Sequence, residues 1–166
     1  MFVKANHMMI TKLASLLLFP TLKVQQNRLV SRLKGCTIVI TGASFGIGEA
    51  LVRLLAPCQV HLVLIARTED KLIDLAQWVR AQGSECTWIG ADLYQPEDVM
   101  RVAEFLQQLP NGIDIFVSNA GKSIMRSLRD SLAREQDIIR TDQLNFRTPT
   151  SLMRAITPVL AQRKGQ

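Results

Sequence analysis

Four strand-like runs rich in apolar residues recur along the chain, and between them the apolar positions return at helical spacing. The runs fall near 37 to 41, 60 to 66, 85 to 91 and 113 to 119. Read with the helix-period segments between them, they predict the strands of a parallel sheet, and the fourth, Ile113 to Val117, has no alternating polar face. The intervening segments predict helices near 46 to 56, 69 to 82 and 96 to 109, the second stopped by Gly83 and the third opened by Pro96. A long helical region over about 131 to 162 follows the fourth run, with a break expected near Pro149. Alternating strand and helix implies an α/β chain with helices on both faces of the sheet. Right-handed crossovers then give strand order 3-2-1-4, with a ligand crevice outside the carboxyl ends of strands one and four.

The first strand run feeds Thr41-Gly42-Ala43-Ser44-Phe45-Gly46-Ile47-Gly48 and then a helix. Gly42 permits a tight turn, Gly46 lets the backbone approach a phosphate, and Gly48 allows close packing of helix on sheet. Backbone N–H groups at the helix start face the anion. Three further positions fall in the same order. Asp92 ends the third run, with Leu93 beside it; Ser118-Asn119-Ala120-Gly121 ends the fourth; Asn145 lies in Leu144-Asn145-Phe146. Together these resemble the short-chain dehydrogenase/reductase family over about residues 34 to 166, and so imply a partial Rossmann-like, doubly wound parallel sheet of about four strands. By resemblance, Asp92 contacts adenine, Ser118 replaces the first Asn of an Asn-Asn-Ala-Gly turn, and Asn145 is the Asn of the catalytic tetrad. The cofactor-binding set so assigned is Thr41, Gly42, Ser44, Phe45, Gly46, Ile47, Gly48, Arg67, Asp92, Leu93, Asn119, Ala120 and Gly121.

In the family, the Asn-bearing helix is followed by a strand ending in the catalytic Ser and by Tyr-x-x-x-Lys. The single tyrosine here is Tyr94, two residues past Asp92 and on the wrong segment to be that acid. Arg163-Lys164-Gly165-Gln166 resembles the turn before the missing strand. The expectation is therefore an incomplete dinucleotide-binding domain over 34–166, related to hydride-transferring oxidoreductases of carbonyl and alcohol substrates but inactive by itself. The alternative is a non-catalytic nucleotide-binding or partner-binding fragment. A methyltransferase would place an acid at the end of strand two and no Asn-Ala-Gly after strand four; Ala66 and Asn119 count against it.

Cofactor choice is argued from the end of strand two, Leu64-Ile65-Ala66-Arg67-Thr68. A carboxylate there would bond the ribose of NAD and repel a 2′-phosphate, whereas Ala66 is neutral and Arg67 carries a planar cationic fork. NADP(H) is favoured over NAD(H). NADP-specific family members often carry a basic residue where Phe45 stands. The competing reading pairs Arg67 with Glu69 or Asp70 as a solvated loop residue.

Charge divides the chain. Residues 1 to 35 hold Lys4, Lys12, Lys23, Arg28, Arg32 and Lys34 and no acid, so the net charge of +6 resides there. A folded part with balanced charge argues against a nucleic-acid partner. The leader, 1–33, also carries Met8-Met9-Ile10 and Leu13 to Phe19, too short for the roughly 20 apolar residues of a membrane span. It reads as an ordinary extension, an interfacial helix drawn to anionic lipid, or a transit or imperfect signal peptide. Cys36, Cys58 and Cys86 are odd in number and widely spaced, giving neither a disulfide framework nor a metal site. A cytoplasmic location follows, with peripheral membrane contact through the leader as its variant. The 131–162 region and the apolar open edge at Ile113 to Val117 are candidate surfaces for a homo-oligomer.

Overall fold

The computed structural model describes residues 25–162. The apolar leader segments of 1–24 and the Arg163-to-Gln166 turn lie outside the described residues. In chain order the elements are α1 (Gln26–Leu33), β1 (Thr37–Thr41), α2 (Gly46–Leu55), a 3-10 turn (Ala56–Cys58), β2 (His61–Ala66), α3 (Glu69–Ala81), β3 (Glu85–Gly90), α4 (Pro96–Gln107), β4 (Ile115–Val117), α5 (Leu128–Ser131), α6 (Glu135–Asp142), a π-helical turn (Gln143–Arg147) and α7 (Thr148–Gln162).

The four strands form one parallel sheet in the order β3-β2-β1-β4, the order the crossover rule requires. Val39 pairs with Val63 on one side and with Phe116 on the other, and Leu64 pairs with Trp88. Every residue of β1 is buried, because both faces of the sheet are covered. Ile38, Ile40, Leu62 and Leu64 face one apolar cluster with Val52 of α2 and Leu72, Leu75 and Val79 of α3. Their neighbours Val39, Val63 and Ile65 point the other way, to Val102 and Leu106 of α4 and Leu152 and Ile156 of α7. Each such side chain contributes roughly 1.5–3 kcal/mol on burial. These two clusters make β1 and β2 rigid, and their carboxyl ends carry the site.

Part of the segment read as a leader belongs to this packing. Leu29, Val30 and Leu33 of α1 lie against the first cluster, and Gln26 Nε2 donates to the Leu54 carbonyl at 3.4 Å.

Two elements differ from their sequence expectations. The fourth strand is confined to Ile115–Val117. Asp114 uses its side chain to accept from Thr37 N–H at 2.8 Å, and Asn119 N–H turns back to the Val117 carbonyl at 3.1 Å. The long helical region is interrupted at 132–134, and its winding widens before Pro149 rather than stopping there. A proline at 149 has no N–H to give the Asn145 carbonyl, and its ring crowds that carbonyl; a π turn spanning Gln143–Arg147 relieves both.

Candidate cofactor site

The glycine turn is built by close approach. Gly42 adopts φ +67°, and a Cβ there would sit 2.9 Å from Ala120 Cα. A Cβ on Gly48 would drive into the Gly42 carbonyl and lie 2.7 Å from Asn119 Nδ2. The start of α2 is therefore pressed onto the end of β1 and onto the loop after β4. Phe45, the residue before α2, makes no side-chain cap, so the first N–H groups of the helix carry no such partner and face the anion position of the turn.

Thr41 and Asn119 join the two loops. Thr41 Oγ1 accepts from the N–H groups of Asn119 and Ala120, both at 3.0 Å. Asn119 Nδ2 donates to the Thr41 carbonyl at 3.0 Å and the Gly42 carbonyl at 3.2 Å. With Thr41 buried, this pairing fixes the separation of the two strand ends that frame the crevice.

At the end of β3, Asp92 Oδ1 accepts from Tyr94 N–H at 3.2 Å, and Asp92 N–H donates to Asp98 Oδ2 at 2.7 Å. Arg101 also donates to Asp98, at 2.7 Å. The Arg101 hydrogen bond, and after it the Asp92 N–H, hold the Asp98 carboxyl below the usual carboxylate range. The turn that presents Asp92 and Leu93 is thus supported from the first turn of α4.

Asn145 occupies the middle of the π turn. Its Oδ1 accepts from Lys122 N–H at 2.8 Å and its Nδ2 donates to the Lys122 carbonyl at 2.9 Å. A Cβ on Gly121 would stand 3.0 Å from Asn145 Oδ1. Asn145 therefore clamps the chain just past the Asn-Ala-Gly turn.

These loops enclose a cleft of about 520 Å³ at the carboxyl ends of the strands. Gly42, Ser44, Phe45, Ile47, Arg67, Asp92, Leu93, Asn119, Ala120 and Gly121 line it, while Thr41, Gly46, Gly48 and Asn145 lie outside its wall. Arg67 is exposed and takes part in none of the ion pairs found among the described residues. Thr68, Tyr94, Lys122, Arg140 and Leu144 also line the cleft and were not assigned from sequence. Arg140 stands over the Tyr94 ring, 5.4 Å from its centroid, and so closes the wall between α6 and the β3 loop. One signal was available: Arg140 and Leu144 are four residues apart, the spacing that puts two side chains on one helix face. Arg67, Lys122 and Arg140 against Asp92 give the lining an excess of positive charge. An uncapped helix start, glycines that admit backbone approach and cationic walls all fit a dinucleotide.

Comparison with known proteins agrees with this geometry. Residues 36–166 match the short chain dehydrogenase family, and the chain belongs to it. A fatty acyl-CoA reductase of Mycobacterium tuberculosis is 35% identical over 131 residues, covering 79% of this chain and 45% of that protein. A short-chain dehydrogenase from Sphingobium yanoikuyae, solved in complex with NADPH, superposes with a TM-score of 0.70 at 32% identity, over 77% of this chain and 50% of that one. An NADH-dependent reductase, A1-R′, complexed with NAD, superposes with a TM-score of 0.72 at 27% identity, over 81% of this chain and 56% of that one. The chain spans about half the length of the relatives it matches. Among the described residues no helix is long and apolar enough to cross a membrane.

Proposed function

We propose that the chain forms the cofactor-binding part of an NADP(H)-preferring oxidoreductase acting between carbonyl and alcohol. The observation that carries this reading is Arg67, exposed at the end of β2, lining the cleft and unpaired with Glu69 or Asp70. A guanidinium there suits a 2′-phosphate, and the residues of the β2 end that line the cleft, Ala66, Arg67 and Thr68, include no acid to claim a ribose hydroxyl in its place. The Sphingobium relative's NADPH supports it; the NAD-bound relative makes Arg67, rather than the fold, the deciding feature.

In this proposal Gly42, Gly46, Ile47 and Gly48 seat the pyrophosphate against the start of α2, with Ser44 and Phe45 at its side. Asp92 and Leu93 receive the adenine, and Asn119, Ala120 and Gly121 line the path toward the nicotinamide. When bound, the cofactor would supply the hydride as NADPH or take it up as NADP+. Asn145 holds the backbone at Lys122, which sets the far wall of the cleft. The fatty acyl-CoA reductase relative makes a lipid-like carbonyl the first substrate class to try.

Within these residues Tyr94 is the only tyrosine, and its ring lies under Arg140. We expect the polypeptide to bind dinucleotide without turning a substrate over. Binding of NADPH and NADH to the Arg67→Glu variant tests the cofactor reading: NADPH affinity is expected to fall more. Equal losses would remove the 2′-phosphate assignment, and turnover of any carbonyl that Asn145→Ala abolishes would overturn the expected inactivity.

A further inference from the structure

A second hollow, of about 310 Å³, lies behind the glycine turn between α2 and α3. Ser44 lines both this hollow and the cleft. Two cations line it, Arg53 and Lys71, and they differ in their engagements. Arg53 donates twice to Glu49 Oε1, at 2.9 and 2.7 Å, and stacks over Trp78 at 4.8 Å from the ring centroid. Its charge is spent locally. Lys71 makes no ion pair with Glu49, Asp70 or Asp74, although the first and last share the hollow with it. Its ammonium lies instead 4.3 Å from the centroid of the Phe45 ring.

Lys71 is also misplaced for its helix. It sits in the first turn of α3, where Glu69 and Asp70 suit the positive end of the helix dipole and a cation does not. Phe45 is misplaced for its surface, a phenyl ring 56% exposed in a phosphate-type turn. Each anomaly answers the other. The ring face attracts the ammonium, and that ring, like Ser44 of the hollow, also lines the cleft. Arg67 stands four residues before Lys71 and lines the cleft, while Lys71, in the first turn of α3, lines the hollow behind it.

We propose that Lys71, carried on Phe45, is a specificity-determining cation that meets the adenosine 2′-phosphate from the side opposite Arg67. This rests on the NADP(H) reading of the cleft and assigns that specificity to a second residue. Phe45 then acts as a positioning residue, holding a charge borrowed from α3 where its own side chain supplies none.

The test measures binding of NADPH, NADH, adenosine 2′,5′-bisphosphate and 5′-AMP to the full chain and to Lys71→Met, Phe45→Leu, Phe45→Tyr and Arg67→Met. For Lys71→Met, affinity for the two 2′-phosphorylated ligands is expected to fall about three- to tenfold, the range of a partly exposed charge contact, with NADH and 5′-AMP unchanged as the control for folding. Phe45→Leu should lower the same NADPH-to-NADH ratio and Phe45→Tyr should preserve it. Raising the salt concentration should shrink the effect of Lys71→Met. If Arg67→Met collapses the ratio while Lys71→Met leaves it intact, or lowers both ligands equally, the role of Lys71 is overturned and the NADP(H) reading stands. If neither variant moves the ratio, or the unaltered chain does not discriminate the 2′-phosphate, the NADP(H) reading falls and Lys71 with it.

Discussion

Thr41 and Asn119 hold each other in both directions: the Thr41 hydroxyl accepts the Asn119 N–H at 3.0 Å, and Asn119 Nδ2 returns a bond to the Thr41 carbonyl at 3.0 Å. The hydroxyl also accepts from Ala120 N–H, so one buried oxygen serves two backbone donors. Thr41→Val keeps the shape, strands the Ala120 N–H and leaves the Asn119 N–H only the Val117 carbonyl. We expect a loss of about 1–3 kcal/mol in denaturant unfolding, together with weaker dinucleotide binding. Thr41→Ser, which retains the oxygen, should recover most of both; a Ser variant as weak as the Val variant would assign the effect to the methyl group.

Gly46 and Gly48 belong to one motif but are needed for different reasons. Gly48 has no room, since an added Cβ meets the Gly42 carbonyl and Asn119 Nδ2, whereas nothing among the described residues lies within 4 Å of a Cβ on Gly46. Gly46 instead adopts φ +57°. Gly48→Ala should therefore cost about 3 kcal/mol or more through forced separation of α2 from the β4 loop. Gly46→Ala should cost about 1–2 kcal/mol of backbone strain. Thermal midpoints of the two variants, compared with the unaltered chain, check the order, and a reversed order contradicts this account.

The strand core was legible because Ile38, Val39 and Ile40 are apolar at successive positions in a short run closed by a glycine turn, a pattern that fits a strand covered on both faces. The glycine turn was legible because its spacing states a backbone requirement directly. The limits of β4 were not, since they depend on Asp114 reaching Thr37 across 77 positions of sequence. Pro149 marked the place of a break in the helical region, but not its form as a π turn nor the interruption at 132–134. Thr148 donates to the Leu93 carbonyl at 2.7 Å and Asn145 grips Lys122, and these tertiary bonds fix the π turn between them. Arg140 over Tyr94 and Lys71 over Phe45 each join a helix to a loop distant in sequence, so no local pattern announces either pair.

His61 gives the fold a pH dependence remote from the cleft. Its Nε2 pairs with Thr87 Oγ1 at 2.8 Å, and its buried Nδ1 has no partner among the described residues. Burial pushes the imidazole pKa down, partly opposed by the nearby Glu85 carboxylate. The unfolded chain therefore takes up the proton first. Stability from neutral His61 is complete above pH about 6.5 and is lost as the pH falls from there toward the lowered folded value. Denaturant midpoints between pH 7.5 and 5 should decline, and His61→Gln should flatten that decline. An unchanged slope in the variant would place the pH sensitivity elsewhere.

Asn145 separates local order from global stability. Asn is a poor helix former beside Ala, by roughly half a kcal/mol, and here its side chain is spent on the Lys122 backbone at 2.8 and 2.9 Å. Asn145→Ala should leave the unfolding free energy nearly unchanged, because better helix propensity offsets the lost bonds in an exposed setting. The Lys122 N–H, however, loses its acceptor. Its hydrogen exchange should quicken about three- to tenfold, as expected for one opened hydrogen bond, while amides of β1 and β2 keep their protection. Asn145→Asp preserves the acceptor oxygen and should leave Lys122 protected. If Asn145→Ala instead loosens the β1 amides as strongly as Lys122, the residue supports the whole sheet and its hold on the cleft wall is incidental.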